Sequence, residues 1–333
     1  MTDPAPPARR ILSIDGGGLR GLIPACLLAR LEAVSGRPVR EQFDFLAGTS
    51  TGALIAAGLA AGVPAAELVR LYREDAPRLF DGAPWRIVPR LVTGSMYDVR
   101  ELHRMIEARL PEPARGWRLN DVPGDLLLTA KGLADGHAWY FVKDDERNAR
   151  MTGELRLVDC VTASAAAPTY FAPWRIGPIG ELVDGGVGVA GNPVYQACVE
   201  AFEFTNRYDP ATTVVVSLGT GRFFERPRPR WLGDWLGWVL SELFRSPGEQ
   251  QTELTVRHYR AAAFYRIDVE LAREIPIDGI RRIDELVEIG EWLADSVDWQ
   301  PILAGAASPF AITPARTLPS EYAIATPPDR AGG

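Results

Sequence analysis

The stretch ILSIDGGGLRGLIPACLLARLE, Ile11–Glu32, passes from a short apolar run through a glycine cluster into a segment with apolar residues at helical spacing. A strand, a glycine turn and a helix in so short a span constrain the fold more than any other feature of the chain. Such units build α/β sheets with strands joined through helices. Gly16, Gly18 and Gly21 satisfy G-x-G-x-x-G, a pattern whose backbone amides cradle a dinucleotide pyrophosphate at a helix N-terminus. The same amides can hold a transient oxyanion. The choice depends on whether the rest of the chain supplies a nucleophile or a ribose-binding acid.

The alternation continues. Apolar runs that read as strands cover Arg10 to Ile14, Phe43 to Ala47, Asp125 to Lys131, Tyr140 to Val142, Glu181 to Val183 and Thr213 to Leu218. Amphipathic helical stretches lie between them, for instance Asp98 to Leu110, where Asp98 and Glu101 suit an N-terminal cap. Asn192-Pro193 opens another helix. The pattern predicts an α/β fold, a three-layer sandwich around a mostly parallel central sheet. Several runs end in glycine-bearing turns, DGGG, GTSTG, DGG and GTG, which should face one crevice at the carboxyl ends of the strands. No internal repeat and no composition shift marks a second domain. The expected organisation is therefore a disordered start (1–9), one domain over 10–307 and an irregular proline-rich tail over 308–333.

With 333 residues, 47% hydrophobic and 24% charged, the chain is long enough to bury a sizeable core. Its formal net charge of -7 argues against a general nucleic-acid binder, which relies on clustered positive charge. Cys26, Cys160 and Cys198 are widely spaced among apolar neighbours and form neither a disulfide framework nor a C-x-x-C metal site. MTDPAPPARR has no apolar signal core, and the apolar run Ala53 to Ala66 is too short to span a bilayer. A cytoplasmic location follows as the expectation.

Gly48-Thr49-Ser50-Thr51-Gly52 lies between an apolar run and an alanine-rich helical stretch, the context of a nucleophile elbow. Flanking glycines let the chain turn where a β-carbon would collide, and the turn lifts the serine hydroxyl to the strand end. A serine needs a base. His103, His137 and His258 sit respectively on a polar helix face, in a turn between strands and inside an extended helical pattern, so none is well placed. Asp184 ends a short apolar run, with Gly185 and Gly186 directly behind it. It reads either as a carboxylate aimed into the crevice or as the first residue of an Asp-Gly hairpin turn.

Taken in order, DGGGLRG, GTSTG and DGG resemble the patatin-like phospholipase family of lipid acyl hydrolases. TASAAAPTYFAP (Thr162 to Pro173) and SLGTG (Ser217 to Gly221) look like further segments of that family. The resemblance extends from Arg10 to about Arg222. The region 230–307 reads as a helical part without a counterpart in the family core. The resemblance implies a dyad with Ser50 as nucleophile and Asp184 as general base. It assigns Gly16, Gly17, Gly18 and Arg20 to an oxyanion site, Gly48 and Gly52 to the elbow, and Gly185 and Gly186 to the DGG motif. The implied reaction cleaves phospholipid or lysophospholipid esters through an acyl-enzyme and calls for no cofactor and no metal. A nucleotide-binding module is the alternative, with Glu41 or Asp44 as the ribose acid. So is a variant of the first reading, since some bacterial patatin-like proteins resemble phospholipase effectors of antiphage defence switched on by cyclic nucleotides.

RWLGDWLGWVLSELF, Arg230 to Phe244, sets Trp231, Trp235 and Trp238 on one helical face. It follows the arginine- and proline-rich loop Arg222 to Arg230. The pairing suits a lid or a peripheral membrane contact, or else a core or subunit-contact helix. Oligomeric state is not legible in the sequence.

Overall fold

The structure, a computed structural model, describes residues 9–80, 94–177, 179–188, 190–223, 229–231, 235 and 248–305. Their strands are β1 (Arg9–Ile14), β2 (Phe45–Gly48), β3 (Ser95–Tyr97), β4 (Asp125–Gly132), β5 (Ala138–Lys143), β6 (Thr169–Phe171), β7 (Trp174–Ile176), β8 (Gly180–Asp184), β9 (Thr213–Leu218) and β10 (Ala263–Ile267). The α-helices are α1 (Leu22–Ser35), α2 (Thr51–Ala60), α3 (Ala65–Leu79), α4 (Val99–Arg109), α5 (Glu146–Met151), α6 (Leu157–Ser164), α7 (Val194–Val199), α8 (248–258), α9 (Ile283–Ser296) and α10 (Trp299–Leu303).

β10, β9, β1, β2 and β4 lie side by side in that order and run parallel. β5 and β8 both pair with β4 in antiparallel sense, and β7 extends the sheet antiparallel to β8. β3 and β6 form a separate two-stranded ribbon. Side chains alternate along each strand, as the period of two requires. Ile11, Phe45, Leu127 and Val215 face a core shared with α7, with Val256 of α8 and with Tyr259 just beyond it. Leu12, Leu46, Leu126 and Val216 face the larger core built with α1, α2 and α9. The two cores make the three expected layers, because a sheet buried on both faces needs helices on both.

All six expected strands are present. Asp98 caps α4, its carboxylate accepting the Arg100 N–H at 2.8 Å. The Asn192 side chain likewise accepts the Val194 N–H at 3.0 Å at the start of α7. The region expected to be helical, 230–307, is corrected in one respect, since it supplies the edge strand β10. The run HYRAAAFYRI has no glycine or proline between α8 and β10, so the strand is hidden in a continuing helical pattern. The tail 308–333 and most of the tryptophan segment, Trp238 included, lie outside the described residues.

Candidate active site

Ser50 stands between the end of β2 and the start of α2 with φ 56° and ψ −121°, a backbone conformation that side chains other than glycine rarely adopt. Close packing imposes it. A β-carbon on Gly48 would lie 2.2 Å from the Gly52 carbonyl oxygen, and one on Gly52 would lie 2.2 Å from the Ile14 carbonyl oxygen. The chain leaves β2, turns sharply and enters α2 directly against β1, which only glycines at both positions permit. The Ser50 N–H donates to Ser164 Oγ at 3.0 Å. Ser164 belongs to the TASAAAP segment at the end of α6, and nothing in the sequence marks its role as a brace.

β4 brings Asp184 to Ser50. The last residue of β2, Gly48, pairs with Leu128, and the last residue of β8, Asp184, pairs with Ala130 on the same edge of β4. The two strands approach head to head, their ends two β4 residues apart, or about 7 Å. Thr129 lies between, its hydroxyl 2.8 Å from that of Thr49. Asp184 is 1% exposed. One carboxylate oxygen accepts the Gly186 N–H at 2.7 Å, and Asp184 shares the lining of one cavity with Ser50. Burial pushes the Asp184 carboxyl up to about 6, against the smaller opposing effects of the neighbouring Ser50 hydroxyl and the Gly186 N–H.

The glycine loop lies beside the elbow; a β-carbon on Gly16 would be 3.3 Å from the Ser50 β-carbon. The Gly16 N–H is committed to the loop, donating to the Gly191 carbonyl at 2.9 Å. Of the three glycine amides, that of Gly16 is therefore already taken. The Arg20 guanidinium donates to the carbonyls of Gly17 and Gly221 at 3.4 and 3.2 Å, so Arg20 holds loop carbonyls. Of the acids that a dinucleotide reading needs, Asp44 precedes β2 and accepts from Arg9 at 2.6 Å and from the Arg10 N–H at 2.8 Å. It stands at the opposite end of the sheet from the glycine loop. Glu41 lies in a short turn just before it.

Two cavities meet at Ser50. One runs between α2, α3 and α4 and is walled mainly by apolar side chains, among them Leu54, Leu71, Leu79, Met105 and Ile106. The other carries Asp184, the glycine loop, Arg222, Arg266 and Asp268. Ser50 and Thr169 are the described non-glycine residues at positive φ, and both line the polar cavity. An apolar cavity beside a polar one suits an amphiphile whose bond between tail and head lies at the serine.

The histidines stand apart from this site. His103, on the polar face of α4, is nevertheless only 13% exposed, bonds Asp159 at 3.0 Å and stacks on Trp174. The polar helix face on which it sits is covered by α6 and β7. His137 is in the β4–β5 turn, and His258 ends α8 against Tyr195.

The fold and site are those of an α/β protein with a strained serine at a strand-to-helix elbow and a buried carboxylate beside it. The patatin-like phospholipase family model matches residues 12–198, and the chain belongs to that family. A cGAMP-activated phospholipase of Pseudomonas aeruginosa is 31% identical over 267 residues, covering 79% of this chain and 78% of that protein. Another of that name from Vibrio cholerae is 34% identical over 208 residues, covering 58% of each. Patatin-like protein 2 of Arabidopsis thaliana is 32% identical over 247 residues, covering 63% of this chain and 59% of that protein.

Proposed function

We propose that this chain hydrolyses carboxylic ester bonds of phospholipids or lysophospholipids through a Ser50–Asp184 dyad. The observation that carries the reading is the strained Ser50 beside buried Asp184, where the apolar and polar cavities meet. The acyl chain occupies the apolar cavity and the headgroup the polar one. Ser50 Oγ attacks the ester carbonyl carbon as Asp184 takes the hydroxyl proton. The carbonyl oxygen becomes an oxyanion facing the Gly17 and Gly18 amides. As the tetrahedral intermediate collapses, Asp184 returns the proton to the departing alcohol or lysolipid oxygen. In the second half, a water attacks the acyl-enzyme as Asp184 takes its proton, which then passes to Ser50 Oγ as the fatty acid leaves.

A carboxylate is a weak base in water, with a pKa near 3.9. Burial of Asp184 narrows the gap to the serine proton it must accept. A second reading adds regulation, and the names of the Pseudomonas and Vibrio relatives favour it: cGAMP switches the activity on. The test is fatty-acid release from a panel of acyl esters and phospholipids, with and without cGAMP. Wild type is run beside Ser50→Ala and Asp184→Asn, each checked for folding. Activity in wild type, lost at least 1000-fold in both folded variants, is the expected result. Retained hydrolysis in either variant removes that residue from the dyad, and equal rates with and without cGAMP remove the regulatory reading.

A further inference from the structure

We propose that Thr220 is a positioning residue that aims the Gly17 amide at the oxyanion, an inference that rests on the Ser50 reading above. In a trans peptide the C=O and N–H point in opposite directions. Whatever holds the Gly16 carbonyl therefore sets the direction of the Gly17 N–H. That carbonyl accepts the Thr220 hydroxyl at 2.7 Å. Thr220 is only 5% exposed and lines the polar cavity beside Ser50 and Asp184.

Thr220 reaches Gly16 because β1 and β9 end in step. Ile14 pairs with Leu218, and the Asp15 N–H donates to the Leu218 carbonyl at 3.0 Å. The two loops then leave the sheet side by side, and both are braced. Arg266 on β10 grips both carboxylate oxygens of Asp15, at 2.9 and 2.6 Å, and reaches Asp268 at 3.0 Å. Asp268 in turn accepts the N–H of Gly221, next to Thr220, at 3.0 Å. On the far side of Gly17, its own carbonyl is held by the Arg20 N–H at 3.3 Å and by the Arg20 guanidinium. Both peptides whose amides serve the oxyanion are thus fixed by their carbonyls, one through Thr220 and the other through Arg20. A threonine hydroxyl has a single proton to donate, and here it goes to Gly16. Valine has the same shape and no proton.

Thr220→Val and Thr220→Ser are compared with wild type and Ser50→Ala. The readouts are kcat and KM on a long-acyl ester, the rate of Ser50 labelling by an alkyl fluorophosphonate, and thermal unfolding. The labelling reaction passes through a phosphoryl oxyanion and so reports the same donors. Thr220→Val should lower kcat and the labelling rate together, by about 10- to 100-fold, with KM within about twofold of wild type. Thr220→Ser, which keeps the donor, should restore both to within a few-fold. A kcat and labelling rate unchanged in Thr220→Val, while Ser50→Ala is inert, overturns the inference and leaves the dyad reading intact. A loss that serine does not restore assigns the effect to packing of the threonine methyl and also overturns it. Should Thr220→Val fail to fold, Thr220→Ala against Thr220→Ser carries the same decision. Wild type that neither hydrolyses an ester nor takes the label overturns the dyad reading, and the inference with it.

Discussion

Asp184 is subject to two opposed demands. Its carboxyl rises from 3.8 to about 6 on folding because it is buried, so the folded chain holds that proton to higher pH than the unfolded chain. Between those two values the folded state binds more protons, and stability falls as pH rises. The burial thus costs the folded state about 3 kcal/mol above pH 6 relative to below pH 4. The proposed mechanism needs the other form, since only the carboxylate accepts a proton. The expected kcat/KM profile has an acid limb with its midpoint near pH 6, falling about tenfold per unit below it. A profile flat to pH 5 on a soluble ester would remove Asp184 as the titrating base. The same conflict predicts that Asp184→Asn, inactive, unfolds several degrees higher than wild type at pH 8, because it buries no charge. Calorimetry at pH 8 and pH 4.5 measures this, and the gain should shrink at the lower pH. The sequence reading singled out Ser50 and Asp184 as residues, but their contact depends on tertiary structure. Thr129 and Ser164, which space and brace them, are common residue types whose local sequence does not distinguish them.

At the scale of elements, β4 and α2 set the geometry of the site. The long strand β4 aligns β2 and β8 along one edge, and this alignment makes two residues far apart in sequence neighbours. α2 is buried along nearly its whole length, which its alanines and glycines allow. Leu54 and Gly58 line the apolar cavity, one and two turns below Ser50, or about 6 and 12 Å along the helix. An extended chain advances roughly 3.5 Å per three bonds, so the Gly58 level corresponds to an acyl chain of about ten bonds. Leu54→Trp should fill the cavity at the upper level. The variant is expected to keep hydrolysis of butyryl esters within a few-fold and to lose at least tenfold on esters of about ten carbons or more. A rate profile with unchanged chain-length dependence would place the acyl chain elsewhere. Six of the eight strands of the main sheet were legible as apolar runs, whereas β10 continues a helical pattern with no glycine or proline before it. β3, β6 and β7 have three residues each, too few to show a period.

For the molecule as a whole, the proposed lipid substrate predicts a surface that tolerates a lipid interface. Among the described residues, no helix is long and apolar enough to cross a membrane. Trp231 and Trp235 are 76% and 49% exposed, a costly placement for indoles in water and a favourable one at a headgroup interface. In sequence they follow Arg222 and Phe223 on the lining of the polar cavity. Trp231→Ala with Trp235→Ala should weaken co-sedimentation with phospholipid vesicles several-fold while leaving hydrolysis of a soluble short-chain ester unchanged. Equal sedimentation of variant and wild type would assign these tryptophans another role. By itself, the sequence determined what local physics writes into a chain. Alternation and glycine turns specify α/β units, G-x-S-x-G specifies an elbow, and DGG places a carboxylate at a strand end. Only the tertiary structure decided which glycine amides remain available, that Asp184 is buried enough to rise to about 6, and that an apolar and a polar cavity share Ser50. Those properties arise from strands and loops brought together across the sheet, and their register is set by contacts between distant segments.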